Sequence, residues 1–258
     1  MSVKTGHLRV GEDRLWYADT GGDGPAVVLL HAYAGSGHSF VRQLAALRRH
    51  GYRAVTYSRR GHPGSTGPAA GASPAADDLH SLVDAVGLGA VHLVGTAAGG
   101  FVATDYAQNW PDDVRSLTLA CTMIGIEDAD YHELCERHRP PEFERLTAED
   151  RELSRSYRAT RPVGVARWRR NTPSTRLPLP PHRRPITWES IDGLTMPVSL
   201  ITGAEDPYFP PPVMSAVAAR VRDGRTAVIP GTGHSAYWEQ AVHFNRILLG
   251  FLDDVERR

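Results

Sequence analysis

The stretch Val91-His92-Leu93-Val94-Gly95-Thr96-Ala97-Ala98-Gly99-Gly100 decides how the chain is read. Val91 to Val94 reads as a strand, and a helical pattern runs from Gly99 to Asn109. The glycines between them flank one central residue, which suits a very sharp strand-to-helix turn. Such a turn needs positive φ and close backbone approach, and a Cβ opposes both. It pushes residue 97 into the open above a helix N-terminus, where free N–H groups and the helix dipole stabilise negative charge. An ordinary strand–helix connection would use the same glycines for packing alone, so the rest of the chain must decide. A dinucleotide fingerprint is excluded, because the third glycine spacing and the downstream ribose-binding acid are missing.

On both sides of this turn strands alternate with helices. Upstream, Leu15-Trp16-Tyr17 and the stronger Ala26-Val27-Val28-Leu29-Leu30 read as strands, the second introduced by the turn signal Gly21-Gly22-Asp23-Gly24-Pro25. An unbroken apolar run of that kind marks a strand covered on both faces. Helical spacing follows from Phe40 to Arg49, then a strand over Ala54–Tyr57, then a helix from Ala75 to Val86 that Gly87 stops. Downstream, Leu117–Ala120, Val198–Ile201 and Thr226–Ile229 read as strands, and Trp238 to Leu252 as the last helix. The alternation predicts an α/β architecture, with a mostly parallel sheet flanked by helices.

From about 125 to 190 the alternation fails. No convincing strand occurs there, and charges and prolines are frequent. We therefore expect a core domain in two parts, 1–124 and 191–258, with a helical insertion over 125–190. Nine arginines and no acidic residue lie between Arg155 and Arg184. That segment reads either as a solvated insertion or as a lid offering guanidinium groups to an anionic substrate, since guanidinium binds carboxylates in a two-pronged fork.

Composition narrows the function classes. The 258 residues suit one sizeable domain, and 41% hydrophobic with 22% charged residues describes an ordinary globular core. Acidic and basic residues balance at 29 each, which argues against a polyanion-binding surface and against nucleic acid as a partner. Cys121 and Cys135 are too few for a disulfide framework and fit a reducing compartment. Neither a signal-peptide core nor a run of about 20 apolar residues is found, so no membrane partner and a cytoplasmic location are expected. Oligomeric state stays open, a homodimer included.

Three more loops follow predicted strands, and ligands bind at those carboxyl ends in an open parallel sheet. His31-Ala32-Tyr33-Ala34-Gly35-Ser36-Gly37 offers backbone donors. Gly203-Ala204-Glu205-Asp206-Pro207 holds an acid that could equally cap a turn. Gly231-Thr232-Gly233-His234-Ser235 holds a histidine among glycines. Each is moderate evidence alone; their order along the chain is the strong signal.

With these loops in place the chain resembles the α/β-hydrolase fold superfamily over nearly its whole length, with a lid inserted where that family places one. The family signature is G-x-S-x-G at the strand-to-helix elbow, then an acid, then a histidine. Here the elbow is Gly95–Gly99, the acid Asp206 and the histidine His234. Tyr57-Ser58-Arg59-Arg60-Gly61-His62-Pro63-Gly64-Ser65 resembles the family's Y-D-x-R-G-x-G-x-S loop, with Ser58 replacing the usual Asp. Trp238-Glu239-Gln240 through Phe244 looks like the last helix of small esterases, lactonases and carbon–carbon bond hydrolases. The resemblance implies a small-molecule carbonyl substrate, His234 as base, Asp206 as its orienter, and the N–H groups of Tyr33 and Ala98 as oxyanion hole. It implies no cofactor. Tyr33, Trp168 and Tyr237 are the expected aromatic lining of the substrate pocket.

One departure governs the rest: Ala97 stands where the family has serine. The chain could be a hydrolase whose elbow serine is replaced by alanine. It could be a naturally serine-less, cofactor-free enzyme that uses the His234–Asp206 dyad as general base for oxygenation, bond cleavage, cyclisation or isomerisation. It could be a catalytically dead binding protein, although a pure binding pocket has no need of an oriented base. Thr96 precedes the exposed position and should point away from His234, and Ser36, Ser39 and Ser235 occupy no elbow. Cys121 reads as a small core residue. His31, His38 and His62 show no metal-ligand spacing and no accompanying cysteines, so no metal is expected.

Overall fold

The computed structural model describes residues 3–68, 73–172 and 177–258. Eight strands form one sheet: β1 (Lys4–Val10), β2 (Asp13–Asp19), β3 (Ala26–Leu30), β4 (Arg53–Tyr57), β5 (Val91–Thr96), β6 (Val114–Ala120), β7 (Val198–Gly203) and β8 (Arg225–Ile229). Their order across the sheet is β1-β2-β4-β3-β5-β6-β7-β8. From β4 to β8 all neighbours are parallel, and β1 and β2 add an antiparallel edge.

Alternating side chains divide the interior into two cores. Val28 and Leu30 of β3 face one core with α2 (Ala75–Val86) and α3 (Ala98–Asn109). Val27 and Leu29 face the other with α1 (Val41–Arg49). Every residue of β3, β5 and β7 is buried, as sheet strands covered on both faces require. Gly87 ends α2 in the left-handed conformation, φ 63°, where the sequence places the stop.

Between β6 and β7 the chain makes α4 (Ala129–His138), α5 (Ala148–Glu152), α6 (Arg155–Thr160), α7 (Pro162–Asn171) and α8 (Trp188–Asp192). A parallel bridge joins Ile126 to Ile186 at the base of this stretch. Thr147, Ser154 and Thr187 cap the short helices α5, α6 and α8 through their hydroxyls. The closing elements are α9 (Pro211–Ala218), α10 (Ala236–Glu239) and α11 (Ala241–Glu256), so the expected last helix is broken at Gln240. Among the described residues no helix is long and apolar enough to cross a membrane.

The approach of α3 to β3 is set by Gly99. A Cβ there would lie 2.1 Å from the Leu30 carbonyl oxygen, a backbone atom that cannot swing aside. Gly250 in α11 has open space around it instead. Gly99→Ala is therefore expected to destabilise the fold by about 1–3 kcal/mol or more through overpacking. Gly250→Ala should stabilise it by up to about 1 kcal/mol through helix propensity. Urea melts of the two variants check both signs.

Candidate active site

The site is assembled at the carboxyl ends of β3, β5, β7 and β8. After β5 the chain turns at Ala97 with φ 47° and ψ −119°, and α3 starts at the next residue. A non-glycine residue held there costs of order 1–3 kcal/mol. The surroundings enforce it: Ala97 N donates to Ala120 O at 3.0 Å and Gly100 N donates to Ala97 O at 2.9 Å. Gly95 admits no Cβ either, because Gly99 O and Gly100 Cα would lie 2.6 Å away.

Asp206 follows β7 and is 2% exposed. Its carboxylate accepts from the Tyr208 N–H (2.9 Å), the Phe209 N–H (3.0 Å) and the Thr202 hydroxyl (3.2 Å). His234 follows β8, and its Nδ1–H donates to both Asp206 oxygens at 2.9 and 3.0 Å. The carboxylate therefore fixes the tautomer: the proton sits on Nδ1, leaving Nε2 as the basic nitrogen. Burial alone would raise the Asp206 carboxyl; His234 and the Phe209 and Tyr208 N–H groups outweigh burial and hold it below the usual range. Burial alone would lower His234; Asp206 and the buried Glu152 outweigh it and raise the imidazole above its ordinary value. The Tyr208 ring lies against the imidazole, 4.4 Å between centroids.

The turn after β3 lies beside the elbow. Neither the Tyr33 N–H nor the Ala98 N–H has a hydrogen-bond acceptor among the described residues, so both donors are free. His31 is neutral: burial lowers its pKa well below the ordinary value, Nδ1–H donates to Ala32 O at 2.7 Å, and Nε2 accepts from Arg59 N at 3.0 Å. Ser58 replaces a carboxylate of the family pattern and still accepts from Gly37 N, at 3.1 Å.

The other candidate nucleophiles are committed elsewhere. Thr96 donates to Leu30 O at 3.1 Å, and Ser235 donates to Glu152 Oε2 at 3.1 Å. Ser36 and Ser39 close a local capping box. Cys121 is buried, and burial raises its thiol well above the ordinary value, with Asp206 adding to the rise. Among the described residues no group of three or more His, Cys, Asp or Glu is placed to hold a metal.

Of the expected aromatic lining, only Tyr33 borders a cavity beside the site, and it borders one of the two described there. Its hydroxyl accepts from Leu177 N. Trp168 packs with Ala34, Leu153 and Val165, and Tyr237 packs against Phe40, so both serve packing and border neither cavity. The two cavities, each of about 10 Å³, lie under Leu179 and Pro180.

Three residues to which no motif assigns a role matter here. Glu239 accepts from Gly233 N (3.0 Å), Ser154 N (3.0 Å) and the Ser154 hydroxyl, while Ser235 N donates to Glu152 O at 2.8 Å. Glu152 and Glu239 thus clasp the insertion to the loop of His234. Arg59 is the third: it is 6% exposed and borders both cavities.

The profile of the alpha/beta hydrolase family matches residues 27–244. The chain belongs to the alpha/beta hydrolase family. A 2-hydroxy-6-oxononadienedioate/2-hydroxy-6-oxononatrienedioate hydrolase of Burkholderia vietnamiensis is 26% identical, over 97% of this chain and 96% of that one. A putative non-heme chloroperoxidase of Synechocystis is 24% identical over 95% and 99%. Among solved structures, an esterase of Thermogutta terrifontis superposes with a TM-score of 0.79 at 23% identity, covering 99% of both chains. The enol-lactonase of Burkholderia xenovorans gives 0.78 at 19% identity, covering 96% and 100%. By family, the chain is a hydrolase-fold enzyme.

The raised pKa of His234 has a direct readout. In a proton–carbon NMR titration its ring should change state above pH 6.5. In Asp206→Asn the midpoint should move to lower pH, because the largest attraction for the imidazolium is gone while burial remains. An unmoved midpoint would show that the pair does not interact.

Proposed function

We propose that the chain acts on a small carbonyl compound (an ester, a lactone or a cleavable carbon–carbon bond) and that His234 is its general base. The observation that carries this reading is the buried His234–Asp206 pair, with Nδ1 bonded to the acid and Nε2 left basic. Ala97 has a methyl group where an attacking oxygen would be needed, so no acyl-enzyme forms. The base works directly instead. Nε2 takes a proton from water, and the resulting hydroxide adds to the carbonyl carbon. The developing oxyanion is held by the free N–H groups of Tyr33 and Ala98. When the tetrahedral adduct collapses, the imidazolium returns its proton to the departing oxygen or carbon. Water is consumed, and the enzyme is restored without a covalent step. With a substrate that carries an acidic proton, the same nitrogen removes that proton; this is the non-hydrolytic form of the same chemistry.

The rate depends on neutral His234. Because the imidazole pKa is raised, turnover should climb with pH through a value above 6.5.

The test is a three-protein comparison on p-nitrophenyl acetate and a δ-lactone. His234→Ala should abolish turnover. Ala97→Ser restores the attacking oxygen and should raise ester turnover by about 10³ or more, with a one-equivalent burst of nitrophenolate. Turnover that survives in His234→Ala removes the base from the reading. An Ala97→Ser variant with neither gain nor burst removes the elbow. Ligand binding without turnover in any of the three would mark a binding protein.

A further inference from the structure

Among the described residues, none neutralises the charge of Arg59. The side chain enters the protein from the end of β4, and its guanidinium is buried. Nη1 donates to His31 O and Nη2 to Ala32 O (3.3 Å). Both acceptors are neutral carbonyls. Among the described residues no carboxylate lies within ion-pair distance, whereas its neighbour Arg60 is bonded to both Asp78 and Asp13. The two nearby imidazoles add no second positive charge: burial and the Arg59 charge hold His31 and His62 neutral, His62 down to about 3. Burying an unpaired cation costs several kcal/mol, and two peptide dipoles recover only part of that.

The position of the charge matters more than its cost. Arg59 borders both cavities, and one of them is also bordered by Ala98, the residue that follows the elbow. Two carboxylates border the cavities as well, and both are engaged. Asp78 is held by Arg60 at 2.8 and 2.9 Å. Asp105 accepts from Arg183 N (2.7 Å), Arg184 N (3.2 Å), Gln108 (3.1 Å) and Asn109 (3.0 Å). The arginines of the insertion do not compete for the role. Arg169 and Arg183 pair with Glu149 and Asp77 at the surface, and no described arginine of the insertion borders either cavity.

We propose that Arg59 binds a carboxylate of the substrate, so that the compound processed at the elbow is an anion whose acid group lies a few atoms from the reacting carbonyl. The assignment names the substrate class for the function proposed above and rests on that reading. The cavities hold about one water molecule each. A substrate therefore enters by displacing Leu179 and Pro180, and its carboxylate takes a place beside the guanidinium that carbonyl oxygens alone now share.

The test is a binding titration, independent of turnover. Benzoate and benzamide have the same shape and differ in charge. Calorimetry on the full chain should give a Kd for benzoate at least 10-fold below that for benzamide. Added salt should shrink this preference. Arg59→Met should lose the preference, and Arg59→Lys, which keeps the charge without the fork, should retain part of it. A purely structural Arg59 would weaken both ligands equally in Arg59→Met. The proposal is overturned if wild-type protein does not prefer benzoate. It is equally overturned if the preference survives in Arg59→Met, which would move the anion to another arginine. Should Arg59→Met not fold, the wild-type comparison and Arg59→Lys decide. The same titration on His234→Ala separates the two claims. A preference retained there, with no turnover ever found in the parent, keeps the anion site and discards the proposed chemistry.

Discussion

A carboxylate that is 2% exposed can stay ionised only if its surroundings replace the water it has lost, and this constraint shapes the whole upper face of the sheet. Asp206 meets it with two backbone N–H groups, one hydroxyl and the imidazole of His234. Those donors arrive from three directions, so β7 and β8 must be in register and their loops in contact. The bonds Ala204 N to Ile229 O (3.0 Å) and Glu205 N to Thr232 O (2.9 Å) hold the loops together. Gly203 has no Cβ because Gly233 O would be 2.2 Å away. The glycines around the histidine are thus explained by the need to bring an acid and a base together out of water.

The same demand extends into the insertion. Glu239 and Glu152 are themselves buried, and burial raises both carboxyl groups above their ordinary values. Glu239 spends its oxygens on Gly233 and Ser154, joining α10 to the segment before α6. The insertion is therefore fastened to the histidine loop by polar contacts that work only out of water. Displacing the whole insertion would expose two carboxyl groups and the base together. Leu179 and Pro180, which border both cavities, stand outside this clasp.

How much of this could be read from residues alone follows the physics of each element. Buried parallel strands have little choice of composition, so β3, β5 and β7 stand out as apolar runs, and glycine-flanked turns mark their ends. β1 escaped notice because Lys4–Val10 is an edge strand whose residues are mostly exposed or half-buried, and its pairing with β2 is non-local. The final helix was legible as apolar spacing, but its break at Gln240 follows from the clasp at Glu239, a tertiary demand without a local signal. In the insertion, the arginine run was visible while its meaning was not. Charge composition cannot distinguish a guanidinium paired at the surface, like Arg169, from one buried with only carbonyl acceptors among the described residues, like Arg59. Arg59 stood in a recognisable loop, and only burial and the absence of a counter-ion among the described residues set it apart.

Ala97 shows that the elbow is a property of the backbone more than of its central side chain. The strained φ of 47° persists with a methyl group because the Ala97 N–H is fixed to β6, the Gly100 N–H to the Ala97 carbonyl, and the space at Gly95 and Gly99 is taken up by main chain. The geometry that leaves the Ala98 N–H free is thus independent of whether residue 97 carries an oxygen. A serine would add a hydroxyl to a turn whose backbone is already set. Without it, the face keeps the buried His234–Asp206 pair with its defined tautomer and the buried guanidinium of Arg59. Preorganised donors in a water-excluded site are usually the largest single contribution to catalysis. If the elbow works as proposed, the alanine removes the covalent route and leaves the proposed oxyanion donors of Tyr33 and Ala98 where the backbone sets them.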